Sequence, residues 1–251
     1  MVNTDPVKDW RIATVTSVHA ETPRVKLFRL ELPVGTTFRA GQYFDVRLTA
    51  PDGYQAQRSY SVSSSPSNPS TIELAIELIS DGEISSYFHE FVESGDQIEL
   101  RGPIGGHFTL SQNFTQPLLL IAGGTGLAPV MSMLRQRQAV ETAAPTVLMF
   151  STRTEADILF REELEQLAKQ DPNFHLAITL TRSASGERPA ETDFKNRRID
   201  RPMIDTALEH LGNLPARAYV CGGSGFVEAI GNHLLDIGMR HDDVRTERFG
   251  P

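Results

Sequence analysis

The sequence predicts two domains, an antiparallel β-barrel followed by an α/β domain with a mostly parallel sheet. Over residues 8–113, short stretches of alternating apolar and polar residues are separated by Pro, Gly, Ser and Asn, as in antiparallel barrels or sandwiches. Over residues 114–251, apolar runs alternate with helical patterns, which is typical of α/β folds. A chain of 251 residues is long enough for two domains of ordinary size.

The first domain is predicted to be almost entirely β-structure. Residues 25–32 alternate apolar and polar side chains, the period of a half-buried strand, and residues 12–18 are rich in β-branched residues. The predicted strands are residues 12–18, 25–32, 43–48, 59–63 and 72–78, and one helix is predicted at about residues 84–92. Residues 101–108 hold three glycines and a proline, and are interpreted either as a loop whose backbone approaches a ligand or as the turn that leaves the barrel.

The second domain begins where this rhythm changes, near residue 114. Residues 118–122 are apolar throughout, as expected of a parallel strand that is covered on both faces. The remaining predicted strands are residues 146–151, 175–180, 218–221 and 244–249. One predicted helix follows the strand at residues 118–122 and ends near residue 138. Three more are predicted at residues 160–169, 203–210 and 226–236.

Composition and charge exclude several classes of protein. The net charge of −8 argues against a general nucleic-acid binder. A single cysteine allows neither a disulfide framework nor a Cys₄ iron–sulfur cluster within this chain, and it fits a reducing compartment. No apolar run reaches the ~18 residues of a membrane span, and the N-terminus lacks the pattern of a signal peptide. We expect a cytoplasmic protein; no metal-ligand spacing stands out.

The first candidate site is the run Arg58-Ser59-Tyr60-Ser61. The guanidinium of Arg58 matches phosphate oxygens, and Tyr60 shares its face because side chains alternate along a strand. One face therefore suits both the phosphates and the aromatic part of a flavin. The hydroxyl of Ser61 is suited to a hydrogen bond with flavin N5. The alternative interpretation is an edge strand that leads into a serine-rich turn.

The second candidate is the start of the predicted helix, Gly82 to Ser85. A helix N-terminus presents free N–H groups and the positive end of the helix dipole, so it can hold phosphate, and Ser85 adds a hydroxyl donor. Ordinary N-capping by Asp81 or Ser80 is the alternative.

The third candidate is the glycine-rich turn Gly123-Gly124-Thr125-Gly126, which follows an apolar strand and precedes a helix. In that context the glycines let the backbone approach a pyrophosphate whose charge the helix dipole stabilises. Pro129 lies in the first helical turn, where its missing N–H costs nothing. A plain tight turn is the alternative.

The fourth candidate is Cys221, which ends a predicted strand before Gly222. Ligands of open α/β sheets bind beyond the carboxyl ends of the strands, where a cysteine can pack against a nicotinamide. Most lone cysteines are instead small buried hydrophobes. We do not expect a covalent nucleophile, because no neighbouring histidine or carboxylate in the sequence indicates an activated thiol.

In this order, the motifs resemble those of the ferredoxin–NADP reductase family of FAD-dependent oxidoreductases, over roughly residues 10–249. The resemblance implies a barrel that binds FAD and an α/β domain that binds NAD(P)H. The cofactor-binding residues that it implies are Arg58, Ser59, Tyr60, Ser61, Gly82, Ile84, Ser85, Gly123, Gly124, Thr125, Gly126, Arg153, Thr181, Arg182, Arg198, Cys221 and Gly222.

The resemblance also implies residue roles. Arg58 and the helix start at Ile84 and Ser85 contact the FAD pyrophosphate, while Tyr60 stacks on the isoalloxazine. The residues implied in catalysis are Ser61, Cys221, Glu247 and Phe249. The ending Glu247-Arg248-Phe249 is similar to the acid-x-aromatic ending of the family, with phenylalanine in place of tyrosine, so that Phe249 shields the flavin face. An edge strand that closes the sheet is the alternative.

Arginines suggest which nicotinamide is used. Thr181 and Arg182 follow the strand predicted at residues 175–180, and Arg198 comes soon after. In the family, arginines in this region can pair with the 2′-phosphate of NADP, whereas an acid favours NAD; Glu187 is near. We expect NADPH to be favoured, with Arg153 contacting the adenine half. Solvated surface charge is the alternative.

The implied function is hydride transfer from NAD(P)H to FAD, followed by single-electron transfer to a separate ferredoxin or iron–sulfur oxygenase component. We expect a monomer with no nucleic-acid partner and no membrane span. Two alternatives remain open: a reductase of free flavin or another small acceptor, and a non-catalytic flavin-binding subunit or redox sensor.

Overall fold

The computed structural model describes residues 9–182, 197–212 and 214–250. The chain forms two compact units. The first comprises Met1–Gln112 with Met131–Ala139, and the second comprises Asn113–Val130 with Val140–Pro251. Within the described ranges, every helix is too short or too polar to cross a bilayer.

The first unit is a six-stranded antiparallel sheet with one helix. Its neighbouring strands follow the order β4-β3-β6-β1-β2-β5, and every neighbouring pair is antiparallel. The elements are β1 (Arg11–Ala20), β2 (Val25–Glu31), β3 (Tyr43–Thr49), β4 (Gln55–Ser61), β5 (Thr71–Glu77), α1 (Glu83–Glu90) and β6 (Gln97–Ile104).

The two edge strands of this sheet meet and close it into a barrel. Val62, directly after β4, forms an antiparallel bridge with Leu74 of β5. The N–H of Ser63 donates to the carbonyl of Glu73 at 2.9 Å. The predicted antiparallel barrel is therefore confirmed.

The core of the barrel is built from the inward positions of the alternating strands. Phe28, Phe44 and Leu74 are at most 1% exposed. Phe88 of α1 meets Phe28 edge-on, with ring centroids 4.9 Å apart, so the helix is attached through its apolar face. The predicted alternation over residues 25–32 holds only in part, because Val25, Leu27, Phe28 and Leu30 are all buried and these side chains lie on both faces of β2.

The interpretation of residues 101–108 as a loop is wrong for its first half, because Arg101 to Ile104 belong to β6 between β1 and β3. Gly102 and Pro103 hide the strand, since both are usually turn residues. Gly102 has φ +153°, and a Cβ there would lie 2.7 Å from the ring of Phe44. The buried residues Ile98 and Leu100, which alternate with polar ones, were the available signal.

The second unit is a five-stranded parallel sheet in the order β11-β10-β7-β8-β9, with helices between the strands, so the predicted α/β architecture is confirmed. Its strands are β7 (Leu118–Gly123), β8 (Thr146–Thr152), β9 (Phe174–Leu180), β10 (Arg217–Gly222) and β11 (Val244–Arg248). Its helices are α3 (Arg161–Gln170), α4 (Arg201–Leu211) and α5 (Ser224–Asp236). The helix α2 (Leu127–Ala139) begins in the second unit, but its residues Met131–Ala139 belong to the first.

The strand order places a switch point between β7 and β10. From β7 the chain moves to β8 and β9 on one side, and then returns to β10 and β11 on the other. Open α/β sheets bind ligands beyond the carboxyl ends of the strands at such a point. The glycine-rich turn after β7 and the cysteine turn at the end of β10 are therefore neighbours.

Candidate cofactor sites

On the barrel, Arg58 and Tyr60 lie on the same face of the edge strand β4. Their register partners on β3 are Val46 and Phe44, respectively. Arg58 is exposed, and its Nη1 donates to the carbonyl of Gln57 at 3.1 Å. Within the described part of the chain, no carboxylate forms an ion pair with Arg58, so its guanidinium is available to an anion.

Tyr60 presents an aromatic ring at the rim of the barrel core. It is half-buried, and its ring centroid lies 6.4 Å from that of Phe88. Burial raises the pKa of Tyr60 to about 12, although nearby Arg58 partly opposes the shift. The phenol therefore stays neutral at physiological pH, as suits a ring that stacks on an aromatic ligand.

The two serines of the motif lie on the other face of β4. The hydroxyl of Ser59 donates to Oδ1 of Asp45 at 2.6 Å, and Asp45 also accepts from Nη2 of Arg101 at 2.7 Å. Ser59 is thus held by its neighbouring strands, which leaves its backbone for any cofactor contact. Ser61 is half-buried at the end of β4, where Tyr43 is its register partner.

The start of α1 differs from both sequence interpretations in detail. Gly82 is the N-cap residue and no side chain caps the helix, so the alternative of capping by Asp81 or Ser80 is wrong. The Ser85 hydroxyl is buried, where it accepts from the Ile79 N–H at 3.1 Å and donates to the Gly82 carbonyl at 3.1 Å. It therefore holds the preceding loop. Because first-turn N–H groups have no partner within a helix, those of residues 83–85 remain the donors for an anion.

Gly82 is required by the space around it. A Cβ at this position would lie 2.6 Å from the Ser85 Oγ and 3.1 Å from the Ile79 carbonyl oxygen. The glycine thus lets the loop fold closely over the first helical turn, where Ile84 is buried against the core of the barrel.

In the second unit, the turn after β7 is a short 3₁₀ helix, Gly124–Gly126, which leads directly into α2. Gly124 has φ +56°, a conformation that favours glycine. Gly126 is buried, and a Cβ there would lie 2.5 Å from the Cys221 carbonyl oxygen and 2.7 Å from Cε1 of Phe249. The structure therefore brings three predicted residues together; Thr125 lies half-buried in the same turn.

Cys221 lies in the middle of this group. It is 1% exposed, and its register partners are Ala122 on β7 and Glu247 on β11. Burial raises its pKa well above the ordinary value, and the nearby carboxylate of Glu247 raises it further. The thiol is therefore neutral, which agrees with the expectation that it is not a covalent nucleophile.

Phe249 follows β11 rather than forming its last residue. Its N–H donates to the carbonyl of Gly222 at 3.2 Å, and its side chain is 38% exposed. Glu247 lies within β11. Glu247 thus lies in an edge strand, as the alternative interpretation held, whereas Phe249 directly follows that strand; both lie beside the cysteine turn.

Phe226 at the start of α5 was missed by sequence reasoning. Its ring packs on the glycines at the ends of both strands, because a Cβ on Gly222 would lie 2.6 Å from Phe226 Cδ1 and one on Gly123 would lie 3.2 Å from it. Phe226 has no polar or titratable group that would identify it as a site residue from the sequence. The available signal was its position directly after Cys221-Gly222-Gly223-Ser224-Gly225.

The candidate arginines lie at the carboxyl ends of β8 and β9. The N–H of Arg182 donates to the carbonyl of Arg153 at 2.7 Å, and the N–H of Thr181 donates to that of Thr152 at 2.9 Å. The side chains of Arg153 and Arg182 are exposed and form no ion pair with any described residue. Arg198 is exposed just before α4, and Glu187 lies outside the described residues.

Comparison with known proteins agrees with this geometry. Residues 12–109 match the oxidoreductase FAD-binding domain family, and residues 120–232 match the oxidoreductase NAD-binding domain family. The chain belongs to the ferredoxin–NADP reductase family. It is an FAD-dependent NAD(P)H oxidoreductase, in which the barrel is the FAD-binding domain and the α/β unit is the NAD-binding domain.

Relatives in this family include components of oxygenase systems. The chain is 29% identical over 239 residues to the ferredoxin–NAD(P)(+) reductase component of the naphthalene 1,2-dioxygenase/salicylate 5-hydroxylase systems of a Ralstonia species. It is 30% identical over 243 residues to the phenol hydroxylase P5 protein of Acinetobacter pittii. These matches cover 95% and 97% of the chain but only 68% and 66% of the relatives, so a third of each relative has no counterpart here.

A solved structure supports the fold. The crystal structure of a ferredoxin NADP+ reductase from Neisseria gonorrhoeae superposes with a TM-score of 0.78, covering 95% of this chain and 98% of that one. Its sequence identity is 24%.

Replacing Gly126 by alanine is expected to weaken NAD(P)H binding and to leave FAD binding intact. The new Cβ collides with the backbone of Cys221, and overpacking of this kind costs about 1–3 kcal/mol. Titration with NADP+ and with FAD measures both affinities. Gly231→Ala, whose Cβ meets nothing within 4 Å, is the matched control. Wild-type NADP+ affinity in Gly126→Ala would contradict the placement of the site.

The Cys221 thiol is expected to react very slowly with N-ethylmaleimide in the folded protein. Its pKa is raised by burial and by Glu247, so the thiol stays protonated at neutral pH and is also shielded from the reagent. The reaction is followed by mass spectrometry. Because the chain has one cysteine, the same protein unfolded in urea is the control and should be labelled once. Fast labelling of the folded protein would contradict a buried, neutral thiol.

Proposed function

We propose that this chain is the reductase component of an electron-transfer system. In this proposal it takes a hydride from NAD(P)H onto FAD and passes single electrons to a separate iron–sulfur protein such as a ferredoxin or an oxygenase component. The observation that carries the proposal is the switch point of the second unit, where Gly126, Cys221 and Phe249 converge, on a chain that also has an FAD-binding barrel.

On the barrel, the residues available to FAD fall into an anionic and an aromatic part. Arg58 and the first-turn N–H groups of α1 suit the pyrophosphate, and Tyr60 suits the isoalloxazine. The Ser61 hydroxyl is proposed to exchange a hydrogen bond with N5 as that atom gains and loses its proton. When bound, FAD supplies an acceptor for two electrons that can release them one at a time.

On the second unit, the chain contributes shape rather than acid–base chemistry. Gly123 to Gly126 allow close backbone approach to the pyrophosphate, and the α2 dipole stabilises its charge. Cys221 and Gly222 are proposed to form a small, uncharged surface beside the nicotinamide C4. Hydride transfer needs no side-chain base, so orientation and exclusion of water are the contributions proposed for Cys221, Glu247 and Phe249.

NADPH is the proposed hydride donor, because arginines dominate the carboxyl ends of β8 and β9. Arg182 is proposed to bind the 2′-phosphate with Thr181 and Arg198, while Arg153 contacts the adenine half. The exposed guanidiniums of Arg153 and Arg182 support this assignment, since among the described residues no carboxylate pairs with them.

The acceptor is proposed from the relatives and the cysteine count. The Ralstonia relative is named as a ferredoxin–NAD(P)(+) reductase component, and a Cys₄ cluster cannot form from the single cysteine of this chain. The proposal therefore includes a separate iron–sulfur acceptor. It also includes a monomeric state, a cytoplasmic location and a domain boundary between residues 113 and 114. A small acceptor such as free flavin is the second candidate, and a non-catalytic flavin subunit is the third.

Arg58→Ala is expected to weaken FAD binding by about 1.5–3 kcal/mol, the range for hydrogen bonds to charged groups. Quenching of FAD fluorescence measures the affinity. Arg24→Ala is the matched control, because Arg24 lies in the turn between β1 and β2, where it pairs with Glu77 at the end of β5. Unchanged FAD affinity in Arg58→Ala would remove Arg58 from the site.

Mixing the FAD-loaded protein with NADPH in a stopped-flow instrument is expected to bleach the flavin, and NADH is expected to act more slowly at equal concentration.

Arg182→Ala should lower the affinity for NADPH by about 1.5–3 kcal/mol, since it removes a charged donor, and should leave the affinity for NADH unchanged. NADH is thus the control within each protein. Bleaching by neither nucleotide would overturn the proposed enzyme, and equal losses for both would overturn the role of Arg182.

A purified ferredoxin is expected to increase the rate at which NADPH reduces cytochrome c, because a protein acceptor relays single electrons. The control is the same assay without the reductase. No increase with any ferredoxin of the source cell, together with rapid reduction of free FMN, would favour the small-acceptor candidate instead.

A further inference from the structure

A buried carboxylate lies at the seam that closes the barrel. Glu73 of β5 is 6% exposed, and both of its oxygens are engaged. Oε1 accepts from Arg135 Nη1 at 2.7 Å and from the Ser63 hydroxyl at 2.9 Å, while Oε2 accepts from Arg29 Nη2 at 3.3 Å. Burying a carboxylate is costly unless such partners compensate for lost water, so its presence calls for a reason.

The charge of Glu73 is retained despite its burial. Burial alone raises the pKa of this carboxyl, but Arg135, Ser63 and Arg29 together outweigh the desolvation and hold the pKa below its ordinary value. Glu73 is therefore an anion at neutral pH, and its hydrogen bonds are charge-assisted and stronger than neutral ones.

The same network holds the main chain of the two residues that follow Val62. The Ser63 N–H donates to the Glu73 carbonyl at 2.9 Å, and the single hydroxyl hydrogen of Ser63 is shared between that carbonyl, at 3.0 Å, and Oε1 of Glu73. Arg135 Nη1 donates to the Ser63 carbonyl at 3.0 Å. The Glu73 N–H donates to the Ser64 hydroxyl at 3.1 Å, and the Ser132 hydroxyl donates to the Ser64 carbonyl at 2.6 Å. Every polar group of Ser63 is thus engaged.

These contacts lie two to four residues from the proposed flavin contacts. Tyr60 and Ser61 end β4, and Val62 is fixed by the bridge to Leu74 and by donating its N–H to the Gln42 carbonyl at 3.0 Å. Each peptide unit is planar and rigid. A segment as short as residues 61–63 therefore has few ways to move once Ser63 is held. The position of Ser61 therefore depends on what fixes Ser63.

We propose that Glu73 is a positioning residue for the flavin. Through Ser63 and Arg135 it holds the end of β4, so that Tyr60 and Ser61 are in place before FAD arrives. This rests on the proposed function, which assigns Tyr60 and Ser61 to the isoalloxazine. Pre-organisation strengthens binding because less ordering remains to be done when the ligand binds.

Two substitutions test the proposal on the FAD-loaded, full-length chain. Glu73→Gln keeps the shape of the side chain and removes its charge, and Ser63→Ala removes the hydroxyl donor while leaving the ion pair with Arg135. Glu31→Gln is the matched control, because Glu31 is an exposed glutamate on the adjacent strand β2. Three quantities are measured where circular dichroism shows each variant to be folded: the dissociation constant of FAD, the visible spectrum at saturating FAD, and the flavin midpoint potential.

Both substitutions are expected to weaken FAD binding roughly threefold to tenfold, the effect of losing about one hydrogen bond, and to shift the flavin absorption bands and potential. Glu31→Gln should match the wild type. If both variants keep the wild-type affinity, spectrum and potential, and only unfold more easily, Glu73 serves barrel closure alone and the proposal is overturned.

The outcomes separate this proposal from the function on which it rests. A wild-type protein that binds no FAD would overturn the proposed function itself, whereas one that binds FAD and is bleached by NADPH leaves it standing whatever Glu73→Gln does. Should Glu73→Gln not fold, Ser63→Ala decides alone: a spectral shift supports positioning, and an unchanged spectrum and affinity overturn it.

Discussion

The second unit depends on one steric constraint, the close approach of the turn after β7 to the end of β10. Even a methyl group on Gly126 would lie 2.5 Å from the Cys221 carbonyl oxygen, so the two strand ends touch through backbone alone. Phe226 covers the neighbouring glycines from α5, and Phe249 reaches the same point from the end of β11. A site assembled from strand ends and backbone in this way is rigid, as hydride transfer over a short distance requires.

In the barrel, by contrast, polar side chains fix the position of strand β4. Asp45 holds Ser59 within β4, and Glu73 holds Ser63 just beyond it. Both carboxylates are buried and both are paired with arginine. Because side chains alternate along a strand, the contacts of Ser59 leave Arg58 and Tyr60 on the other face. An edge strand with little apolar burial of its own thus gains a defined position.

The sequence predicted the two-domain architecture more completely than it predicted the bounds of the strands and the side-chain contacts. The apolar run at 118–122 and the glycines after it identified β7 and its turn, because burial on both faces leaves a clear pattern. The strand predicted at residues 59–63 is instead Gln55–Ser61, since an exposed edge strand has no apolar period and takes its register from β3. Likewise, Gly82 and Ser85 were identified as a helix start, but only the structure shows that the Ser85 hydroxyl faces the preceding loop.

The network around Glu73 could not be predicted, because its members are far apart in the chain. Arg29, Ser63, Glu73 and Arg135 lie on β2, after β4, on β5 and on α2, and each alone has the appearance of a surface residue. Folding brings them together and removes Ser63 and Glu73 from water, while Arg29 stays exposed. Away from water, ordinary polar residues become strong constraints. The neutral Cys221 thiol shows the converse, since burial makes a reactive group inert. Burial dominates at Cys221, whereas at Glu73 the hydrogen-bonded partners outweigh the desolvation, and both effects become visible only when tertiary contacts are known.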